Sequence, residues 1–235
     1  MITEILEKWC EENNIAVTTQ QTAAFEEYAR LLVEWNSKMN LTAITDEQDI
    51  AIKHFIDSIS LLCCHTPADG ERLIDIGTGA GFPGIPLRIL CPAIRLTLLD
   101  SLNKRLLFLD EVCHTLKIDA ELLHARAEEY GAKSAYREQY DTAVSRAVAN
   151  LPALCEYCMP FVKVGGSFIA MKGPDGENEL DSAQNAIAVL GGKTERIEKL
   201  TLSDGGQRTI ILIRKIKPTP VKYPRRGVKI NKQPL

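Results

Sequence analysis

Apolar residues in the first quarter of the chain recur at intervals of three and four. Within Thr18–Met39, the positions Phe25, Tyr28, Leu32, Trp35 and Met39 share one face of a helix, and Thr18 with Gln21 has the order of a capping box. Asp46–Leu62 repeats the rhythm through Ile52, Phe55, Ile59 and Leu62, with Thr45 and Gln48 as the matching cap. A shorter helix near Ile5–Cys10 completes a helical N-terminal cap. After Gly70 the rhythm changes to short β-branched or leucine-rich runs separated by helical stretches, the mark of parallel strands joined by crossover helices. Strands are predicted at Arg72–Ile76, Arg95–Leu99, Ala120–His124, Asp141–Ser145, Ser167–Met171, Thr194–Leu200 and Arg208–Arg214. The pattern predicts an α/β, Rossmann-like fold: a seven-stranded, mostly parallel sheet with a helical N-terminal extension. The expected division is a cap over residues 1–69, a core over 70–217 and a C-terminal arm over 218–235.

Composition narrows the function classes. Apolar residues make up 45% and charged residues 25%, which excludes a mainly disordered or coiled-coil chain. The longest stretch without Asp, Glu, Lys or Arg, Asn13–Phe25, is too short and too polar to cross a bilayer, and Glu4, Glu7 and Lys8 stand where a signal peptide needs an apolar run. A cytoplasmic monomer with no membrane partner is expected. The seven cysteines are odd in number and irregularly spaced, so they read mostly as buried thiols in a reducing compartment. Cys155 and Cys158 form a lone CxxC with no second pair, and the four histidines share no metal spacing, so no metal site is expected.

Charge is distributed unevenly. Arg214–Leu235 holds eight basic residues and no acidic one, so residues 1–213 carry −11 against −3 for the whole chain. Pro218, Pro220, Pro224 and Pro234 argue against a long helix there and for an extended arm with accessible cations. Such an arm suits a polyanion, with a merely solubilising tail as the alternative. Because no cofactor motif lies in it, the arm is expected to be dispensable for cofactor binding.

The segment Leu73–Gly84 is an apolar strand running into a glycine-rich turn. Its spacing Asp75-x-Gly77-x-Gly79-x-Gly81 departs from a dinucleotide fingerprint, which would place Gly or Ala where Phe82 stands. It resembles instead the first motif of class I S-adenosylmethionine (AdoMet) methyltransferases. Asp100 ends the next strand about twenty residues beyond the glycines, where a carboxylate can accept from both hydroxyls of a ribose. The alternative for Asp100 is a helix N-cap, which Ser101 would serve equally well. Ala127 and Glu128 follow the third strand, where this class often contacts adenine.

A more specific resemblance comes from Trp35-Asn36-x-x-x-Asn40-Leu41-Thr42, His54–Ser58, Gly77–Pro86, Asp100–Arg105, Ser145–Val148, and Tyr223-Pro224-Arg225 through Leu235. Together these runs resemble the bacterial family of ribosomal RNA small subunit methyltransferase G, also called glucose-inhibited division protein B, over nearly the whole chain. The tail departs from it at Gly227-Val228-Lys229-Ile230, where members often carry a further proline-rich step. The resemblance implies AdoMet-dependent methylation of guanine N7 in the 530 loop of 16S ribosomal RNA, on naked RNA or on a small ribosomal subunit precursor. It implies cofactor contacts at Gly77, Phe82, Ala127, Glu128 and Arg146; Asp75, Gly79 and Asp100 are added from the spacing itself. Ser145-Arg146-Ala147-Val148 contains neither the Asn/Asp-Pro-Pro-Tyr/Phe clamp of exocyclic-amine enzymes nor the Pro-Cys pair of cytosine-C5 enzymes. Guanine N7 offers an in-plane lone pair and no proton, so alignment suffices and Arg146 is the expected active-site cation. Lys104, Arg105, Lys172, Lys222, Arg225 and Arg226 are the expected RNA contacts, and His54 either orders the cap or touches RNA. Other readings are an AdoMet methyltransferase of another RNA site or of a small molecule, and a non-catalytic RNA-binding module on the same fold.

Overall fold

A computed structural model describes residues 1–235. Helices α1 (Ile2–Glu12) and α2 (Thr19–Met39) come first, and the capping box at the start of α2 forms as expected, with Thr18 and Gln21 bonded reciprocally. The next helical stretch is mixed: α3 (Glu47–Asp49), a π-helical segment Ile50–Ile56, α4 (Asp57–Ile59) and a 3-10 turn Ser60–Cys63. Its cap is Asp46, whose carboxylate accepts from the amides of Gln48 and Asp49, and not Thr45. An ionised acceptor at the helix start also opposes the helix dipole, which a threonine hydroxyl does not.

The core alternates strands and helices: β1 (Arg72–Ile76), α5 (Gly84–Leu90), β2 (Arg95–Asp100), α6 (Asn103–Leu116), β3 (Ala120–His124), α7 (Ala127–Tyr130), β4 (Tyr140–Arg146), α8 (Leu151–Cys158), β5 (Val162–Lys172), α9 (Gly176–Val189), β6 (Gly192–Thr201) and β7 (Gln207–Lys215). All seven expected strands are present, with ends shifted by a few residues. The sheet order is β3-β2-β1-β4-β5-β7-β6, and β7 runs antiparallel to both of its neighbours. Because β2 and β3 lie on one side of β1 and β4 onward on the other, a crevice opens at the carboxyl ends of β1 and β4.

Period-two alternation divides each strand between two cores. Leu73, Leu96, Leu98 and Val144 face a layer made of α1, α2, the π segment, α5 and α6. Ile74, Ile76, Leu99 and Ala143 face α8 and α9. The N-terminal cap has no core of its own: Tyr28 stacks on Phe55 and Phe82 at 5.4 Å and on Phe108 at 6.4 Å, joining cap, glycine turn and α6 in one aromatic cluster.

The C-terminal segment is not an extended arm. Its last residues form α10 (Gly227–Lys232), and Tyr223 and Ile230 are buried against the body. The four prolines lie outside α10, so they limit its length without preventing it. Arg225 makes a two-pronged bond to the fully buried Glu156 (Nε–Oε1 2.9 Å, Nη2–Oε2 2.6 Å), and its amide adds a third bond to the same carboxylate at 2.7 Å. Arg137 reaches back to the carbonyls of Thr219, at 2.6 Å, and Tyr223, at 2.8 Å.

Candidate active site

The turn after β1 is held from below. Asp75 is fully buried on the face shared with Leu73, which points it toward α5. Its Oδ2 accepts from Thr78 Oγ1 at 2.7 Å and the Gly84 amide at 2.8 Å, while Oδ1 has no partner. Burial pushes its carboxyl up to about 6. The expected cofactor contact at Asp75 is therefore corrected: it shapes the loop and does not line the cavity. Gly77 begins the loop with φ +73°, and an added Cβ would lie 2.6 Å from Val148, so both backbone angle and space demand glycine.

Asp100, at the end of β2, is also buried. Its Oδ2 accepts from the Gly79 amide at 3.0 Å and Arg105 Nη1 at 3.1 Å, and its Oδ1 accepts from the Leu102 amide at 2.9 Å. The N-cap of α6 is Leu102, with no side-chain cap, so neither Asp100 nor Ser101 plays that part. Asp100 instead ties the glycine loop to β2 and borders a cavity of about 520 Å³.

That cavity lies over the crevice. Ile76, Leu99 and Ala125 give it an apolar floor, and Gly77, Asp100, Ala127 and Glu128 all border it. So do Tyr157 of α8 and Gly227, Val228 and Asn231 of α10, which the sequence reading did not anticipate. No local motif marks them, because α10 reaches the cavity by packing on Tyr157, 74 positions before Asn231, and on Glu128, earlier still. The sequence placed no residue of the arm at this cavity, whereas three of them border it.

Arg146 ends β4, beside Ser145, whose hydroxyl donates to the Ile76 carbonyl at 2.7 Å. Arg146 Nη1 donates to Asp57 Oδ2 at 2.9 Å and to the Lys53 carbonyl at 3.0 Å, and its guanidinium carbon lies 5.1 Å from the centre of the Phe82 ring. His54 stacks on Phe82 with ring centres 4.5 Å apart, and its Nε2 is 2.9 Å from Thr42 Oγ1. Burial and then Arg146 push the His54 imidazole down to about 4, so the ring is neutral at physiological pH. The other Asp57 oxygen accepts from Arg208 Nε of β7 at 2.8 Å. Asp57, Lys53 and Arg208 thus join Arg146 around a second cavity of about 430 Å³. Asp57 and Arg208 lie 151 positions apart, a pairing no spacing rule reveals.

A smaller hollow of about 190 Å³, bordered by Gly79, Phe82, His54 and Arg146, lies between the two. Ala147 borders all three and adopts φ 54°, a left-handed conformation rare for alanine that places its backbone at the junction.

The expected RNA contacts separate into two groups. Lys104 is exposed, and Lys222 and Arg226 are exposed with no acidic partner. Arg105, 36% exposed, is shared with Asp100. Lys172 is corrected: it is buried, pairs with Glu179 at 2.8 Å and donates to the Ala149 carbonyl at 2.8 Å, so it braces the second cavity's wall. Arg225 is corrected too, since Glu156 holds it against the body. Cys155 and Cys158 are fully buried among the α8–α9 contacts, and burial pushes both thiols up. No helix is long and apolar enough to cross a membrane.

The family model described as rRNA small subunit methyltransferase G matches residues 21–211, which is most of the chain. The chain belongs to that family. The ribosomal RNA small subunit methyltransferase G of Alkaliphilus oremlandii is 51% identical over 99% of this chain and 98% of its own length. Among solved structures, a mutant of the 16S rRNA (adenine(1408)-N(1))-methyltransferase from Catenulisporales acidiphilia superimposes with a TM-score of 0.55 at 12% identity, covering 65% of this chain and 89% of that one. The precorrin-6y C5,15-methyltransferase of Geobacter metallireducens gives 0.51 at 16% identity, covering 73% and 90%. These two likenesses show the shared class I methyltransferase fold, and family membership makes the chain a methyltransferase of that family.

Proposed function

We propose that the chain transfers the methyl group of AdoMet to N7 of a guanine in 16S ribosomal RNA, in the 530 loop of the decoding region. The observation that carries the reading is the junction at Ala147, where the cavity over the β1 glycine turn meets the cationic cavity around Arg146. The first cavity fits AdoMet in its donor set. Asp100 borders it with one acceptor site left on Oδ1 for a ribose hydroxyl, Ile76, Leu99 and Ala127 offer apolar walls to adenine, and Gly77 permits close backbone approach. Bound there, AdoMet would supply an electrophilic sulfonium methyl, which the in-plane lone pair of N7 can take as the S–C bond breaks and the neutral thioether S-adenosylhomocysteine leaves, with no proton lost.

The residues around the second cavity then have alignment as their task. Arg146 is held by Asp57 and the Lys53 carbonyl, leaving part of its guanidinium to donate to guanine O6, an acceptor arginine reads well. Phe82 and His54 form an aromatic wall beneath it. His54 needs no proton exchange: its Nδ1 is 3.4 Å from Arg146 and its Nε2 is engaged with Thr42. The exposed, unpaired cations of the last segment, Lys217, Lys222, Arg226, Lys229 and Lys232, supply phosphate contacts that the acidic body cannot. Mass-spectrometric mapping of 7-methylguanine in 16S ribosomal RNA from cells with and without the protein tests the reading; identical maps would overturn it.

A further inference from the structure

The C-terminal helix has two faces. Gly227, Val228 and Asn231 border the cavity over the glycine turn, while Lys229 and Lys232 are exposed. Spacing of three places Val228 with Asn231, and Lys229 with Lys232, one helical step around. Tyr157 Oη donates to Asn231 Oδ1 at 3.0 Å, fixing the inner face to α8. At the start of the helix, Gly227 lies so close to Glu128 that an added Cβ would collide with the carboxylate oxygen. The whole element is fastened by the Arg225–Glu156 bond and by the burial of Tyr223 and Ile230.

We propose that α10 is the outer wall of the cofactor cavity and that Val228 and Asn231 are affinity-determining residues for the adenosine end of AdoMet. The assignment rests on the AdoMet reading of the cavity. Position supports it: α10 meets Glu128, which follows β3, and Tyr157 of α8, and none of its residues borders the hollow formed by Thr78, Gly79 and Ala80 of the glycine loop, which would face the methionine end. Chemistry supports it as well. Val228 is 71% exposed, an apolar side chain at the rim that gains cover only when an apolar face such as an adenine ring is laid against it. Asn231 brings an amide able to donate while its carbonyl is held by Tyr157. The wall also explains why Arg225 is withdrawn from the basic surface: its charge serves as the fastener.

Calorimetric titration of the full chain with AdoMet and with 5′-methylthioadenosine tests the assignment. The double variant V228A/N231A changes two exposed side chains and removes one exposed hydrogen bond, to Tyr157, so its ligand-free melting temperature should fall by no more than about 2–4 °C, and V228A alone, which breaks no hydrogen bond, should match the parent. Its affinity should fall about 5- to 20-fold, and equally for both ligands because they share the adenosine end. A chain ending at Tyr223 should lose more; if it does not fold, the double variant alone decides. Affinities within two-fold of the parent for V228A/N231A would overturn the wall. A loss for AdoMet without one for methylthioadenosine would place the contact at the methionine end and also overturn it. Failure of the parent itself to bind AdoMet would remove the cavity reading along with the wall, and is visible separately.

Discussion

The cavities on either side of Ala147 are built differently. The one over the glycine turn is framed mainly by the ends of adjacent parallel strands, with Asp100 bonded to the Gly79 amide and Asp75 to Thr78 and Gly84. Its framework is short-range bonding along β1 and β2, which are paired in register from Arg72↔Arg95 to Ile76↔Leu99. The cationic cavity is assembled from the π segment, β4 and β7, joined at one carboxylate, Asp57, that serves both Arg146 and Arg208. With its two guanidiniums this carboxylate, 5% exposed, makes a cluster of net charge +1, so loss of Asp57 would leave two cations unneutralised while loss of either arginine leaves one ion pair and a freed carboxylate oxygen. The first cavity should therefore lose affinity when a contact is deleted, and the second should lose rate.

The largest effect expected is at the second cavity. Arg146→Ala should slow single-turnover methylation of the RNA by about a hundred- to a thousand-fold, the scale of losing a positioned charge at a reacting group. AdoMet affinity measured on the same variant should change by only about three-fold. Arg146→Lys should not restore the rate, because an ammonium cannot bond Asp57 and a base edge with the planar geometry of a guanidinium. Equal losses of rate and cofactor affinity would merge the two cavities into one functional unit. At the first cavity, Asp100→Ala should cost about 1.5–3 kcal/mol of AdoMet affinity, through lost ribose contacts and a loosened Gly79. Calorimetry giving an unchanged dissociation constant would remove Asp100 from the site.

The same contrast explains what was legible in the sequence. Strands β1 to β7 and the α2 capping box could be read because each rests on local periodicity; of the residues their motifs single out, Gly77 and Asp100 stand at the first cavity, and Phe82 and Arg146 at the hollow beside it. Asp75 was placed on the cavity by motif position alone; the period-two face it shares with Leu73 sends it to the opposite side of β1. Asp57, Arg208 and the inner face of α10 were missed because their roles arise from packing between distant segments. Lys172 and Arg225 look like phosphate contacts while charge is simply counted. Their partners, Glu179 and Glu156, are on other elements, and only the fold brings them together. Proline in the tail was read as a helix breaker, yet one turn of helix fits between Pro224 and Pro234.

A smaller effect is expected from pH. His54 is pushed down to about 4 from an ordinary value of 6.5, so the folded protein takes up its proton less readily than the unfolded chain. The His54 contribution to stability is thus complete above about 6.5 and is lost as pH falls toward 4. Since the imidazole is neutral throughout the physiological range and guanine N7 carries no proton, the single-turnover rate should be flat between about pH 6 and 9. Thermal melts should show the His54 contribution lost on the acid side, between about pH 6.5 and 4. A rate that rises with an apparent pKa near 6.5 would give His54 a proton-transfer role and break the division between alignment and affinity.

The smallest effect per residue concerns the outer face of the C-terminal segment. Deleting the segment would confound RNA binding with loss of the cavity wall, so the informative change is Lys222, Arg226, Lys229 and Lys232 each to Gln, leaving Arg225, Val228 and Asn231 in place. If about three to five cations of the segment neutralise phosphates, RNA affinity of the parent should fall with salt at a log–log slope of roughly −2 to −4. The quadruple variant should be shallower by about 2 to 3 at about 0.7 per contact, while binding AdoMet as the parent does. Fluorescence anisotropy on one RNA at several salt concentrations measures both slopes. Equal slopes would move the RNA surface elsewhere, and Lys53, which borders the Arg146 cavity, and the exposed Lys38 of α2 are the cations to neutralise next.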